Sequence, residues 1–396
     1  MDTAPVARQE ASWKPGRILC RKVEAIHPKR EAAHLRNLDE RHKEGCGEFS
    51  GLRFNPISIT IQSMTWDYIG NEWAVQMLQR HITTGGLRHA YLLCGPYGTG
   101  RRTLALRFAQ ALNCPQPLQA GVPCGSCRTC QQIERMQHAD LDVVQAEEGS
   151  RAIKVDQVRR LQQTLSLTAY EAPYRVALLL NFEDATPSAQ NALLKTLEEA
   201  PDQVILILTA QSPEMLLPTI TSRCEVLRLQ PLACAVLEQV LQERWGIPRE
   251  EAALLAPLSA GRTGCALRLH QQPEEMEQRG AYLEDAFLLL GMNRRERFAY
   301  VENNLNLFGR STMGGMLETW LSLWRDVFLA GNGSMESLVN VDLRDEILEM
   351  SGLVDTETAR RCTADLLLGL GRLDANVNPR LLAEVILLDW PLLPGG

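Results

Sequence analysis

Gly95-Pro96-Tyr97-Gly98-Thr99-Gly100-Arg101-Arg102-Thr103 has the glycine spacing of a phosphate-binding loop and lacks the side chains that make such a loop work. In the working form, G-x-x-x-x-G-K-[ST], backbone N–H groups cradle the phosphates, the lysine reaches the β- and γ-oxygens, and the hydroxyl binds Mg²⁺. Here Arg101 holds the lysine place and Arg102 the hydroxyl place. A guanidinium keeps the charge, but it is a broad planar fork instead of a compact point charge, and it cannot ligate a metal. Thr103 comes one residue too late to serve without a change of helix phase. The alternative reading is an ordinary glycine-rich turn between a strand and a helix.

The flanks favour the loop. Ala90-Tyr91-Leu92-Leu93-Cys94 is a short apolar run of buried-strand type, and after the glycines Leu104, Ala105, Phe108, Ala109 and Leu112 recur at helical spacing. The other half of an ATP site is an apolar strand ending in acidic residues that hold Mg²⁺ and polarise water. The candidate, Arg175-Val176-Ala177-Leu178-Leu179-Leu180-Asn181, ends in Leu180 and Asn181, and Glu183 and Asp184 come later. Both halves are therefore damaged in one retained frame. Leu141–Val144 and Val204–Thr209 read as further strands of a parallel sheet covered on both faces. Between the strands, Pro187 to Ala200 carries an apolar stripe of Ala189, Ala192, Leu193 and Leu197.

Cys114, Cys124, Cys127 and Cys130 form C-x₉-C-x₂-C-x₂-C in one short excursion after the loop helix. Four thiolates at this spacing suit tetrahedral Zn²⁺, and with every ligand position filled by protein the zinc is expected to be structural. Disulfides are the competing reading. The absence of a secretion signal and the scatter of the 11 cysteines point instead to a reducing cytoplasm. Cys94, Cys234, Cys265 and Cys362 sit among apolar residues and read as core filling.

The glycine loop, the stretch Thr186-Pro187-Ser188-Ala189-Gln190-Asn191-Ala192-Leu193-Leu194-Lys195-Thr196-Leu197-Glu198-Glu199-Ala200-Pro201, and the triplet Ser222-Arg223-Cys224 together resemble the clamp-loader branch of the AAA+ ATPases. The resemblance spans roughly residues 64 to 396. It implies an α/β AAA+ P-loop domain with a zinc module, followed by a helical lid and an all-α collar through which subunits oligomerise. It further implies a subunit that does not itself hydrolyse ATP and lends an arginine to its neighbour's site in the bacterial DNA polymerase III holoenzyme. By match of motif that residue is Arg223, flanked by Ser222 and Cys224; within the chain alone, a solvated or carboxylate-paired arginine is the other reading. The lid of an active subunit carries an arginine just before an Ala-Leu pair, where Gly261-Arg262-Thr263-Gly264-Cys265-Ala266-Leu267 has Gly264.

The expected domains are 64–230 for the core, with the zinc module at 113–131, then 231–285 for the lid and 286–396 for the collar. Residues 1–63 show no sustained apolar period and read as a misassigned start or a disordered extension. The degenerate loop residues Gly95, Gly98, Gly100, Arg101, Arg102, Thr103 and Asn181 leave ATP binding weak or absent. The implied partners are ATPase subunits of gamma/tau type, a delta-type subunit and, through the complex, the sliding clamp and primer-template DNA; no membrane is involved. A net charge of −7 is a poor footprint for gripping DNA alone. Two alternatives stay open: an active ATPase subunit of the same loader, and a stand-alone zinc DNA-binding protein.

Overall fold

The structure, a computed structural model, describes residues 66–147, 150, 152–304, 308–375 and 377–393. The segment 1–63 lies outside them. The described chain forms two compact units divided between Gln272 and Pro273.

In the first unit the chain runs through α1 (Glu72–Thr84), β1 (Ala90–Cys94), α2 (Arg101–Asn113), α3 (Arg128–Glu134), β2 (Leu141–Val144) and α4 (Val155–Leu165). It continues through β3 (Arg175–Leu179), α5 (Pro187–Glu198), β4 (Val204–Ala210), the single turn α6 (Pro218–Thr221) and β5 (Glu225–Arg228). The five strands are parallel in the order β2-β3-β4-β1-β5. Every residue of β1, β3 and β4 is buried, which is why these strands read as unbroken apolar runs and not as alternations. Alternate side chains still serve opposite faces. Tyr91 and Leu93 pack with α1 and α2, whereas Leu92 and Cys94 pack with α4 and α5.

The helix over Pro187 to Ala200 is present as α5. Thr186 caps it by accepting from the Ala189 N–H, Pro187 sits in its first turn, and Ala189, Leu193 and Leu197 are buried as the stripe requires. Strand β5 was not foreseen. It is four residues long, and Glu225 and Arg228 at its ends hide the apolar pair Val226-Leu227 from a periodicity reading.

The same unit ends in three helices, α7 (Cys234–Trp245), α8 (Arg249–Leu258) and α9 (Thr263–Gln271). Leu237, Leu241, Ile247, Leu255, Ala256 and Ala266 form their small core. Gly246 ends α7 in the left-handed conformation, at the break expected over Gly246-Ile247-Pro248. Cys234 was expected in the core, but it is exposed: it opens α7 at the first position, ahead of the turn that buries Leu237.

The second unit is all helical: α10 (Pro273–Leu290), α11 (Arg294–Asn303), α12 (Arg310–Gly331), α13 (Arg344–Leu353), α14 (Thr356–Asp374) and α15 (Pro379–Leu388). Residues 285 and 286, between which the sequence reading sets a domain boundary, both lie inside α10. Trp320, Trp324 and Trp390 are buried and meet edge to face, with centroids 4.9 and 5.6 Å apart. Arg297 is buried beside them. It donates to the carbonyls of Leu289, Leu387, Trp390 and Pro391, tying the end of α10 to the end of α15 and the segment after it.

Candidate functional site

The glycine loop leaves the carboxyl end of β1, a central strand, and opens α2, the placement a phosphate loop requires. Gly98 and Gly100 take φ of 86° and 88°, values that favour glycine. The Thr99 hydroxyl donates to the Pro96 carbonyl at 2.8 Å, and Tyr68 donates to the Thr99 carbonyl at 3.1 Å, so the loop is braced from within.

Arg101 does not extend into an open phosphate site. Its side chain is 6% exposed and runs to the end of β3, where Nη2 donates to the Asn181 Oδ1 at 3.3 Å. Its Nη1 lies 3.5 Å from the Glu183 Oε1, and Glu183 is 5% exposed. Sequence spacing alone left Glu183 too late to matter. The structure brings it back because Asn181 turns the chain in the left-handed conformation and starts a 3₁₀ turn over Phe182–Asp184. Further bonds hold this corner: the Asn181 N–H donates to the Thr209 hydroxyl on β4, and the Gln211 N–H donates to the Glu183 Oε1. Arg102 and Thr103 are exposed on the first turn of α2.

The lid closes on the same loop through backbone. The Gly264 N–H donates to the Gly98 carbonyl at 2.8 Å, and the Cys265 thiol faces the Tyr97 carbonyl at 3.6 Å. A Cβ at Gly264 would come within 2.9 Å of the Gly98 oxygen, and one at Gly98 within 2.6 Å of the Cys265 sulfur. The side chain missing at 264 is thus also one this contact could not accommodate. Arg262 turns back to donate to the Ser259 carbonyl, and Arg268 stacks over the Tyr97 ring at 5.0 Å.

Arg223 follows α6 on the approach to β5, at the far end of α5 from the loop corner. Its Nη1 donates to the Thr219 carbonyl at 2.8 Å and its Nη2 to the Glu198 Oε1 at 2.6 Å. The side chain remains 34% exposed. Ser222 is exposed and donates to the Thr219 carbonyl. Cys224 is half-buried against the sheet, where burial pushes its thiol up to about 12.

Cys114, Cys124, Cys127 and Cys130 place their sulfurs within 4.8 Å of one another. The Cys114–Cys124 and Cys114–Cys127 sulfur separations are 3.6 and 4.0 Å. Tetrahedral zinc with bonds of about 2.3 Å needs sulfurs about 3.8 Å apart, so the cluster fits the ion. Backbone N–H groups of Cys124, Cys127 and Cys130 point at the sulfurs of Cys114, Cys124 and Cys127. At Cys124 they favour thiolate, holding its thiol down at about 6 chiefly through the Cys127 N–H, whereas burial pushes the Cys114 and Cys130 thiols up. The module is tied to the core by the Trp66 indole, which donates to the Gly121 carbonyl at 2.7 Å.

A family model described as "DNA polymerase III, delta subunit" matches residues 70–233. The chain is 35% identical over 314 residues to the DNA polymerase III subunit delta-prime of Pseudomonas aeruginosa, covering 78% of this chain and 93% of that one. Against the subunit delta-prime of Bacillus subtilis the identity is 31% over 317 residues, covering 79% and 94%. A solved gamma subunit-related protein of DNA polymerase III from Thermotoga maritima matches at 18% identity with a TM-score of 0.39, covering 79% of this chain and 97% of that one. Sequence identity at this level, over almost the full length of both delta-prime relatives, settles membership: the chain belongs to the delta-prime subunit family of the bacterial DNA polymerase III clamp loader.

Proposed function

We propose that this subunit does not hydrolyse ATP and instead supplies Arg223 to the nucleotide site of a neighbouring ATPase subunit during sliding-clamp loading. The observation that carries this reading is the occupant of the chain's own loop. The cation that would meet a phosphate is buried against Glu183, and the loop offers no lysine and no hydroxyl at the metal-binding place. Arg223, by contrast, stands at the surface with about a third of its side chain accessible. A guanidinium brought to a transferring phosphoryl group accelerates hydrolysis by about 10³ to 10⁵. Because the arginine and the nucleotide sit on different chains, hydrolysis then depends on assembly.

The partners in this reading are gamma/tau-type ATPase subunits and a delta-type subunit, with the clamp and primer-template DNA engaged through the hetero-oligomer in the cytoplasm. The four cysteines hold a structural zinc that fixes the excursion after α2. The helical second unit serves as the collar.

The test is a reconstituted loader carrying Arg223→Ala. Folding, zinc content and assembly should match wild type, while DNA- and clamp-stimulated ATP turnover and clamp loading fall. Because one site of several is affected, turnover should drop in part and not to zero. An Ala variant that assembles and loads clamps at the wild-type rate overturns the trans role.

A further inference from the structure

We propose that Glu198 is a positioning residue for Arg223: its carboxylate holds the guanidinium in the orientation in which it meets a neighbour's phosphates. The inference rests on the trans role proposed above and adds a second residue to it.

An arginine at the surface ordinarily samples many rotamers, and a catalytic guanidinium is effective only when its plane is set before the reaction. Arg223 is held at both terminal nitrogens by acceptors from two elements. The Thr219 carbonyl takes Nη1 at 2.8 Å from α6, and Glu198 takes Nη2 at 2.6 Å from the last residue of α5. Two of the five guanidinium N–H groups are used in this way, which leaves others to engage phosphoryl oxygens.

The mount is rigid. Leu193 and Leu197 bury α5 against the sheet, and Gln190 on the same helix accepts from the Leu217 N–H at the entrance to α6. The Thr219 carbonyl and the backbone that carries Glu198 are therefore fixed relative to each other. The Glu198 side chain is 51% exposed, so its attraction for Arg223 is screened by water and too weak to keep the arginine from a triphosphate. Its effect is on direction.

The experiment uses the reconstituted full loader and measures kcat and KM for ATP with wild type, Arg223→Ala, Glu198→Ala, Glu198→Gln and the Ala/Ala double variant. Glu198→Ala should reproduce at least about half of the kcat deficit of Arg223→Ala, with KM unchanged within about twofold, as expected for a group that acts on the transition state alone. Glu198→Gln should recover most of the rate, because the amide oxygen still accepts from Nη2. The double variant should be no slower than Arg223→Ala, the non-additivity expected when one residue acts through the other. Melting temperature and zinc content, which an exposed substitution should leave alone, guard against misfolding. If Arg223→Ala is slow and Glu198→Ala runs at or above the wild-type rate, Glu198 does not position the arginine and the trans role survives. If Arg223→Ala itself runs at the wild-type rate, the trans role fails and this inference with it.

Discussion

The Arg101 guanidinium lies 3.5 Å from the Glu183 carboxylate, and both side chains are more than nine-tenths buried. The pair is incompletely bonded: Arg101 Nη1 and Glu183 Oε2 are buried with no hydrogen-bond partner. Breaking such a pair leaves an uncompensated charge in the interior. Removing the whole pair does not.

Arg101→Met or Glu183→Leu alone should therefore destabilise the first unit by about 3–5 kcal/mol, while the double variant recovers most of the loss. Thermal unfolding of the three variants checks this. Additive losses in the double variant would mean that the two side chains are not coupled.

Arg101→Lys with Arg102→Thr rebuilds the loop's consensus and should restore at most weak ATP binding. Hydrolysis should stay at background, because Leu180 and Asn181 still stand where the acidic strand end belongs and the lid still has glycine at 264. Calorimetric titration with ATP and phosphate release by the purified chain read the two properties separately. Strong Mg²⁺-dependent turnover by the wild-type chain would contradict the account of this loop.

For the cysteine cluster, elemental analysis of the purified chain should give about one zinc per chain, as four thiolates around one tetrahedral ion require. Cys127→Ser should lose the metal and lower the melting temperature, because structural zinc binding contributes directly to folding free energy. Cys127 also caps α3 by accepting from the Cys130 N–H, so the serine variant retains a cap. A metal-free chain with disulfides among these residues would refute the zinc assignment.

Asp140 offers a pH test away from the loop. Burial pushes its carboxyl upward, but N–H groups of Tyr170, Glu171 and Ala172, at 2.6, 2.9 and 2.9 Å, outweigh this and leave it below the usual carboxylate value. A depressed carboxyl contributes stability above its unfolded pKa and loses that contribution as the pH falls through its folded pKa. Asp140→Asn should thus melt below wild type at pH 7, and the gap should narrow below about pH 4. A gap that stays constant down to acid pH would mean that the charge is immaterial.

What the sequence disclosed was whatever local pattern encodes. The loop glycines and the apolar strands β1, β3 and β4 are each written within a few consecutive residues, and the four cysteines within the one excursion from 114 to 130. The partners of the charged groups were hidden. Nothing in the spacing joins Arg101 to Glu183, 82 residues on, or Arg223 to Glu198; the first pair exists because β3 returns the chain to the loop, and the second because α6 returns it to the end of α5. Strand β5 escaped for a related reason, since it owes its place to pairing with β1 more than to its own composition. Cys234 shows the converse error: apolar neighbours in sequence did not make it buried.

The backbone bond from Gly264 to Gly98 makes a side chain at position 264 hard to gain. A Cβ at Gly264 would have to move the Gly98 main chain, and one at Gly98 would have to displace the Cys265 sulfur, so a lid arginine at 264 is not accommodated while the rest of the unit keeps its present form. The order of changes matters as much as their identity. Lid and loop would have to separate first, and in the interval the unit would lose this contact. Two glycines in one backbone contact thus make loop and lid a single unit of change, in which neither gains a side chain without the other giving way.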